Sequence, residues 1–147
     1  MAIMQALRQF GVTGVLLGNE PSSEAEYRER VRLVDAQKLP PWDAVERAVA
    51  EAQVATRREL VRAEARQRVA AAMDYDSWDD AAGIIGENAR RMIVLMIGVK
   101  DATEAEAREL ADLQALSAVV DRIWAAYLAI PDDPPPADFL DPKWWPK

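Results

Sequence analysis

Histidine and cysteine are both absent from this 147-residue chain. Their absence removes the favoured metal ligand, the favoured general base and the strongest side-chain nucleophile together. An H-E-x-x-H zinc motif is therefore impossible, and no phosphate loop or G-x-S-x-G elbow is present. Without cysteine there is no covalent staple, which fits a reducing compartment. Long apolar runs are also missing. The longest, Met92-Ile93-Val94-Leu95-Met96-Ile97-Gly98-Val99, falls far short of the roughly 20 residues a bilayer span needs. No secretory signal is expected either, because the apolar stretch at 12–17 is short and broken by Gly14.

What is present is acidic, arginine-rich and rich in alanine. The net charge of −7 argues against a nucleic-acid partner, since phosphate binding needs a basic face. Hydrophobic residues make up 50% of the chain, but alanine contributes little area per residue. Alanine faces let helices approach closely while burying less than leucine would. Self-assembly or a partner surface is therefore expected to supply part of the stability.

The first forty residues differ in style from the rest. Gly11, Gly14 and Gly18 punctuate an apolar segment containing Val12, Val15 and Leu16, read as a short strand or an extended docking segment. Ser23 and Glu26 have capping-box spacing, so a short helix is predicted over 24–35, with Tyr27, Val31 and Val34 on its apolar face. Glu24–Arg28 and Glu26–Arg30 have the favourable acid-before-base order. Leu39-Pro40-Pro41 ends this region.

Three principal helices follow. No glycine or proline interrupts residues 42–73, which predicts a rod of about 45 Å. One stripe on it runs Val45, Val49, Ala52, Thr56, Leu60, Ala63, and a second runs Val54, Val61, Ala65, Val69, Ala72, implying two neighbours. Arg57, Arg58, Arg62, Arg66 and Arg68 read as a solvated face paired with Glu59 and Glu64. Ser77 with Asp80 opens a second helix over 78–97, apolar all round near Met92 and therefore expected to be the most buried element. Gly98 reads as its C′ residue. Thr103 with Glu106 is the best capping box and opens a third helix over 104–130, its core face marked by Leu110, Leu113, Leu116, Val120, Ile123, Tyr127 and Ile130. The fold class is thus all-α: an N-terminal strand-and-helix segment at 1–40, a helical bundle at 41–130, and a proline-rich tail at 131–147.

Six of the nine prolines lie in the last seventeen residues, so the tail should be extended and unable to form a core by itself. It carries Phe139, Leu140, Trp144 and Trp145, large apolar groups that are unfavourable in water and common at interface hot spots. The strap either folds back along this chain's own helices or docks on a neighbouring subunit. Partner binding is therefore assigned to Phe139, Leu140, Trp144 and Trp145, together with Val12, Val15 and Leu16. Asp74, Asp76, Asp79 and Asp80 fail the calcium-loop template, because Asp79 stands where glycine is needed and Ile85 where the closing glutamate belongs. They read as helix-start residues. No catalytic, cofactor or metal residue is assigned, and no cofactor is expected.

Pro41-Trp42-Asp43-Ala44-Val45-Glu46, opening a long Ala/Arg/Glu helix, and the closing Asp141-Pro142-Lys143-Trp144-Trp145-Pro146 resemble features of small helical accessory proteins of tailed-bacteriophage tails. That resemblance implies a non-enzymatic tail-fibre, baseplate or tail-assembly component. It would be made in the host cytoplasm and act in the virion tail, with its helices packing on copies of themselves or on other tail proteins. The alternative is a cytosolic acidic helical adaptor or regulator that binds a protein partner, with neither nucleic acid nor membrane involved.

Overall fold

Capping residues and prolines decide where the helices begin and end. The computed structural model describes residues 2–34 and 37–147. Its elements in chain order are α1 (Ala2–Gln9), β1 (Gly14–Leu16), α2 (Glu24–Arg30), β2 (Val31–Leu33), α3 (Trp42–Ala72), α4 (Trp78–Ile97) and α5 (Glu104–Ala129). Short 3-10 turns sit at Val99–Asp101 and Pro142–Trp144. The protein is mainly helical, with one small antiparallel sheet. The chain divides into two compact units, Met1–Arg57 and Arg58–Lys147, where the sequence reading placed boundaries near 40 and 130. α3 contributes its first half to one unit and its second half to the other.

In the first unit, α1 buries Ile3, Ala6 and Leu7, an i, i+3, i+4 face that the sequence reading left without a helix. Glu20 accepts a hydrogen bond from the Ile3 N–H at 3.1 Å, satisfying one of the free donors at this helix start. Gly11 takes φ +69°, a left-handed conformation that closes α1 at little cost only for glycine. β1 then pairs with β2, with Gly14 opposite Leu33, Val15 opposite Arg32 and Leu16 opposite Val31. A Cβ on Gly14 would lie 2.7 Å from the Arg32 carbonyl oxygen, so this close pairing requires glycine.

The predicted helix over 24–35 is therefore corrected: it stops at Arg30, where β-branched Val31 enters the ladder instead. Asp35 lies outside the described residues. Ser23 Oγ caps α2 as expected, accepting from the Glu26 N–H. The Glu26 carboxylate, however, reaches Ser22 rather than closing a box on Ser23. Both forecast ion pairs form, at 2.6 Å for Arg28–Glu24 and 2.9 Å for Arg30–Glu26. Tyr27, Val31, Val45 and Ala48 complete this core, and the Tyr27 ring sits 5.3 Å from Trp42.

The second unit is built from the rest of α3 with α4, α5 and the tail. Val61, Ala65 and Val69 of the second stripe are buried with Ala70, Ala81, Val120, Ile123 and Ile130. Leu60 and Ala63 of the first stripe are exposed, so that stripe is buried only near its start, at Val45. α4 spans the predicted residues, and Thr103 with Glu106 forms a full capping box on α5. Gly98 has φ −85° rather than a left-handed value, and the chain continues into a 3-10 turn.

The largest correction concerns residues 92–97. Only Leu95 is buried there, whereas Ile93, Val94, Met96 and Ile97 are exposed. The reason lies in the neighbour. α5 opens with Glu104, Glu106, Arg108 and Glu109, and its first bulky apolar residue is Leu110. One helix can cover one face of another, and this stretch of α5 is too polar to cover more. Leu95→Asp should therefore destabilise the protein by several kcal/mol, because it leaves a buried charge unpaired. Met96→Asp should change stability by no more than about 0.5 kcal/mol. Thermal unfolding followed by circular dichroism separates the two outcomes.

Candidate interaction surface

The tail folds back onto the helices of its own unit. Trp145 is 5% exposed and joins Val61, Ala65, Val69, Val120 and Ile123 in one core, with Phe139 and Trp144 packed against it. Its indole N–H donates to the Phe139 carbonyl at 2.7 Å, so the polar tip is satisfied inside the fold. The Arg68 guanidinium stacks 4.7 Å from the ring centroid while also pairing with Glu64 at 2.7 Å. Pro135 is fully buried as well.

Polar contacts hold the strap along its length. Near its start, Arg58 Nε donates to the Asp132 carbonyl at 2.6 Å and pairs with Asp133 at 3.5 Å. Arg58 thus leaves the solvated row forecast for it, whereas Arg62 pairs with Glu59 as expected and Arg66 lies over the Trp78 ring. Near the end, Asp141 caps the last 3-10 turn, and Lys143 pairs with Asp138. Trp144 donates to the same Asp138 carboxylate at 3.3 Å.

The residues assigned to partner binding thus separate. Trp145 and Val12 are buried in their respective unit cores, so neither side chain is offered outward. Phe139, Trp144 and Leu16 are half-buried against those cores. Val15 and Leu140 remain exposed. Val15 belongs to an outward apolar set in the first unit with Phe10, Leu17 and Val34.

A larger outward surface lies on α4, where sequence reasoning placed core. Ile93, Val94, Met96 and Val99 are each more than half exposed, and Ile97 reaches 81%. Leu95 anchors the same turn from within. Between α4 and α5 an apolar cleft of about 190 Å³ is lined by Met73, Ile85, Met92, Leu113, Leu116 and Trp124, among others. One signal of this surface was legible in the sequence: the opening of α5 before Leu110 supplies no bulky apolar residue to cover the end of α4. Chemically, the surface can exclude water against another apolar face. Asp79 and Asp80 occupy the first turn of α4, and Asp80 accepts from Ser77 Oγ at 2.7 Å. Among the described residues no group of three or more acidic side chains is placed to hold a metal ion.

Comparison with protein families, with curated proteins and with solved structures gives no match to this chain. Among the described residues no helix is long and apolar enough to cross a membrane.

Two predictions follow from these contacts. Trp145→Ala should cost about 3–5 kcal/mol, as large buried aromatics do, while Leu140→Ala should be near neutral; denaturant midpoints of the two variants measure the difference.

The second concerns acid. The Ser22 backbone N–H holds Glu26 below the usual carboxylate range, and the Thr103 backbone N–H does the same for Glu106. Arg91 lowers Glu109, and Lys143 lowers Asp138. Since each folded pKa lies below its unfolded value, the unfolded chain binds more protons in acid. The stabilisation is complete above the unfolded values and is lost as pH falls through the folded ones. All four are solvent-screened, so the change is small. The melting temperature should stay flat from about pH 5.5 to 7.5, where no ordinary side chain of this histidine-free sequence titrates, and decline below about pH 4.

Proposed function

We propose that this protein is a non-enzymatic structural or assembly component that works through helix-face packing, and that its setting is the bacteriophage tail. The observation that carries the reading is the exposed apolar end of α4: Ile93, Val94, Met96 and Ile97 face outward there, with Val99 just beyond, on a unit that buries its own tryptophan. Contiguous apolar surface of this kind marks protein contact sites. The tail setting rests on the resemblance of the 41–46 and 141–146 segments to small phage tail proteins. Here the C-terminal strap acts as an internal clamp, and α4 supplies the outward contact.

Co-expression with proteins encoded beside it in a phage tail gene cluster tests this. A complex should form with the intact chain and weaken at least about 30-fold with Ile93→Asp plus Ile97→Asp, the loss of two hot-spot residues. Helix content should be unchanged, because both positions are exposed. Equal binding by the double variant would overturn the assignment to α4.

A further inference from the structure

We infer that the exposed face of α4 is a self-complementary seam that pairs antiparallel with α4 of a second copy of this chain. The inference rests on the contact role proposed for α4 and names its partner. Residues in a helix turn by about 100° each, so Ala82, Gly86, Ala89, Ile93 and Ile97 fall along one side. Met96 and Arg90 border that side. Gly83, Gly86, Ala89, Ile93 and Ile97 are all exposed, and Ala82 is half-buried. The stripe is small at its N-terminal end and bulky at its C-terminal end.

Polarity within the stripe chooses the partner and its direction. Antiparallel pairing centred between Ala89 and Arg90 sets Ile93 of one copy opposite Gly86 of the other. The same register sets Ile97 opposite Ala82. Each bulky side chain then meets a position without one, twice over, as a two-fold interface requires. A parallel pair would set bulk against bulk and leave the glycines facing a gap. Gly86 lies on the stripe and Gly83 beside it, and a Cβ at either would meet nothing within 4 Å. Both lower helix propensity, and neither permits a close approach within the chain.

Charge at the two ends of the helix agrees with this register. The first turn of α4 carries Asp79, and Lys100 follows its end, so antiparallel pairing brings Asp79 of each copy beside Lys100 of the other. On one flank, however, Arg90 of each copy meets its own counterpart beside the two-fold axis, a like-charge contact that Glu87 on the same flank only partly offsets. Among the described residues, none of these four charges has an ion-pair partner within the chain. Ile93, Ile97 and the near side of Met96 form the seam, whereas Val94 and Val99 lie outside it, so a pair buries less than about 1,000 Å², the size of a weak or transient interface. A reversible, concentration-dependent dimer is the state this area supports.

Sedimentation velocity of the full chain across a micromolar concentration series tests the proposal, and introduced thiols test its direction. The chain has no cysteine, so any disulfide reports the introduced residue. Under oxidation Ala89→Cys should cross-link into a dimer, since this position lies beside the two-fold axis. Ala82→Cys should not, because antiparallel pairing holds its two copies far apart. Gly86→Leu should raise the melting temperature of the monomer, as nothing crowds the site, yet shift the dimer to at least tenfold higher concentration. Ile97→Asp should do the same to the dimer with helix content unchanged.

A chain that remains monomeric at every concentration overturns the second copy as partner. If that monomer still binds a tail protein through Ile93 and Ile97, the contact role of α4 stands without self-pairing. A dimer indifferent to Gly86→Leu and Ile97→Asp places the interface elsewhere and overturns the seam. Cross-linking through Ala82→Cys rather than Ala89→Cys overturns the antiparallel register.

Discussion

Alanine brings helix backbones close together but leaves little apolar area to remove from water, and residues 58–147 are organised around that shortage. Ala65, Ala70 and Ala81 lie at the centre of their core, and the helices supply mostly valine and isoleucine beside them. No helix contributes a fully buried aromatic to this unit. The missing volume comes from the tail, whose Trp145 joins the same core and lies under the Arg68 guanidinium. A tryptophan brings as much buried area as several alanines, and its N–H is satisfied by a carbonyl of the same strap. The ion pairs that hold the strap fix the entry angle of this one side chain, while the burial carries the energy.

The same shortage accounts for the outward face of α4. A three-helix arrangement with one thin strap has enough partners to cover one face of α3 and of α5, but none for the outward side of the last two turns of α4, where only Leu95 is buried. The sequence does not make those turns polar, as it does for the opening of α5. An aliphatic surface retained at that position, on a chain with 29% charged residues available to replace it, is the basis for giving it a role. Its placement on a regular helix gives any partner a rigid and periodic surface to read.

Local signals were legible in the sequence, and non-local ones were less so. The start of α4 at Trp78 and of α5 at Glu104 followed from Ser77 and Thr103, because a capping hydroxyl acts on a backbone N–H three residues away. The end of α2 did not follow, because Val31 leaves the helix to pair with Leu16, fifteen positions earlier. The pattern Tyr27, Val31, Val34 suited a helix in isolation, and only the partner strand decided otherwise. Likewise the periodicity of α4 identified a helix, but whether Ile93 faced protein or water depended on how far the apolar surface of α5 extended. The tail showed its aromatic content plainly, while its destination needed the groove that receives it. The candidate surface was therefore visible in residue type and hidden in orientation.

The contact between Trp145 and Arg68, in the second half of α3, joins residues 77 positions apart. On the ribosome, the first unit has all its residues available well before the second unit has its tryptophan. Until residue 145 is available, the core that holds Ala65, Val69 and Ile123 lacks its buried tryptophan. The core of the second unit is therefore complete only once residues 61 to 145 are all available. During that interval the nascent chain presents open apolar grooves to whatever is nearby, so the timing of translation bears on which contacts it makes first.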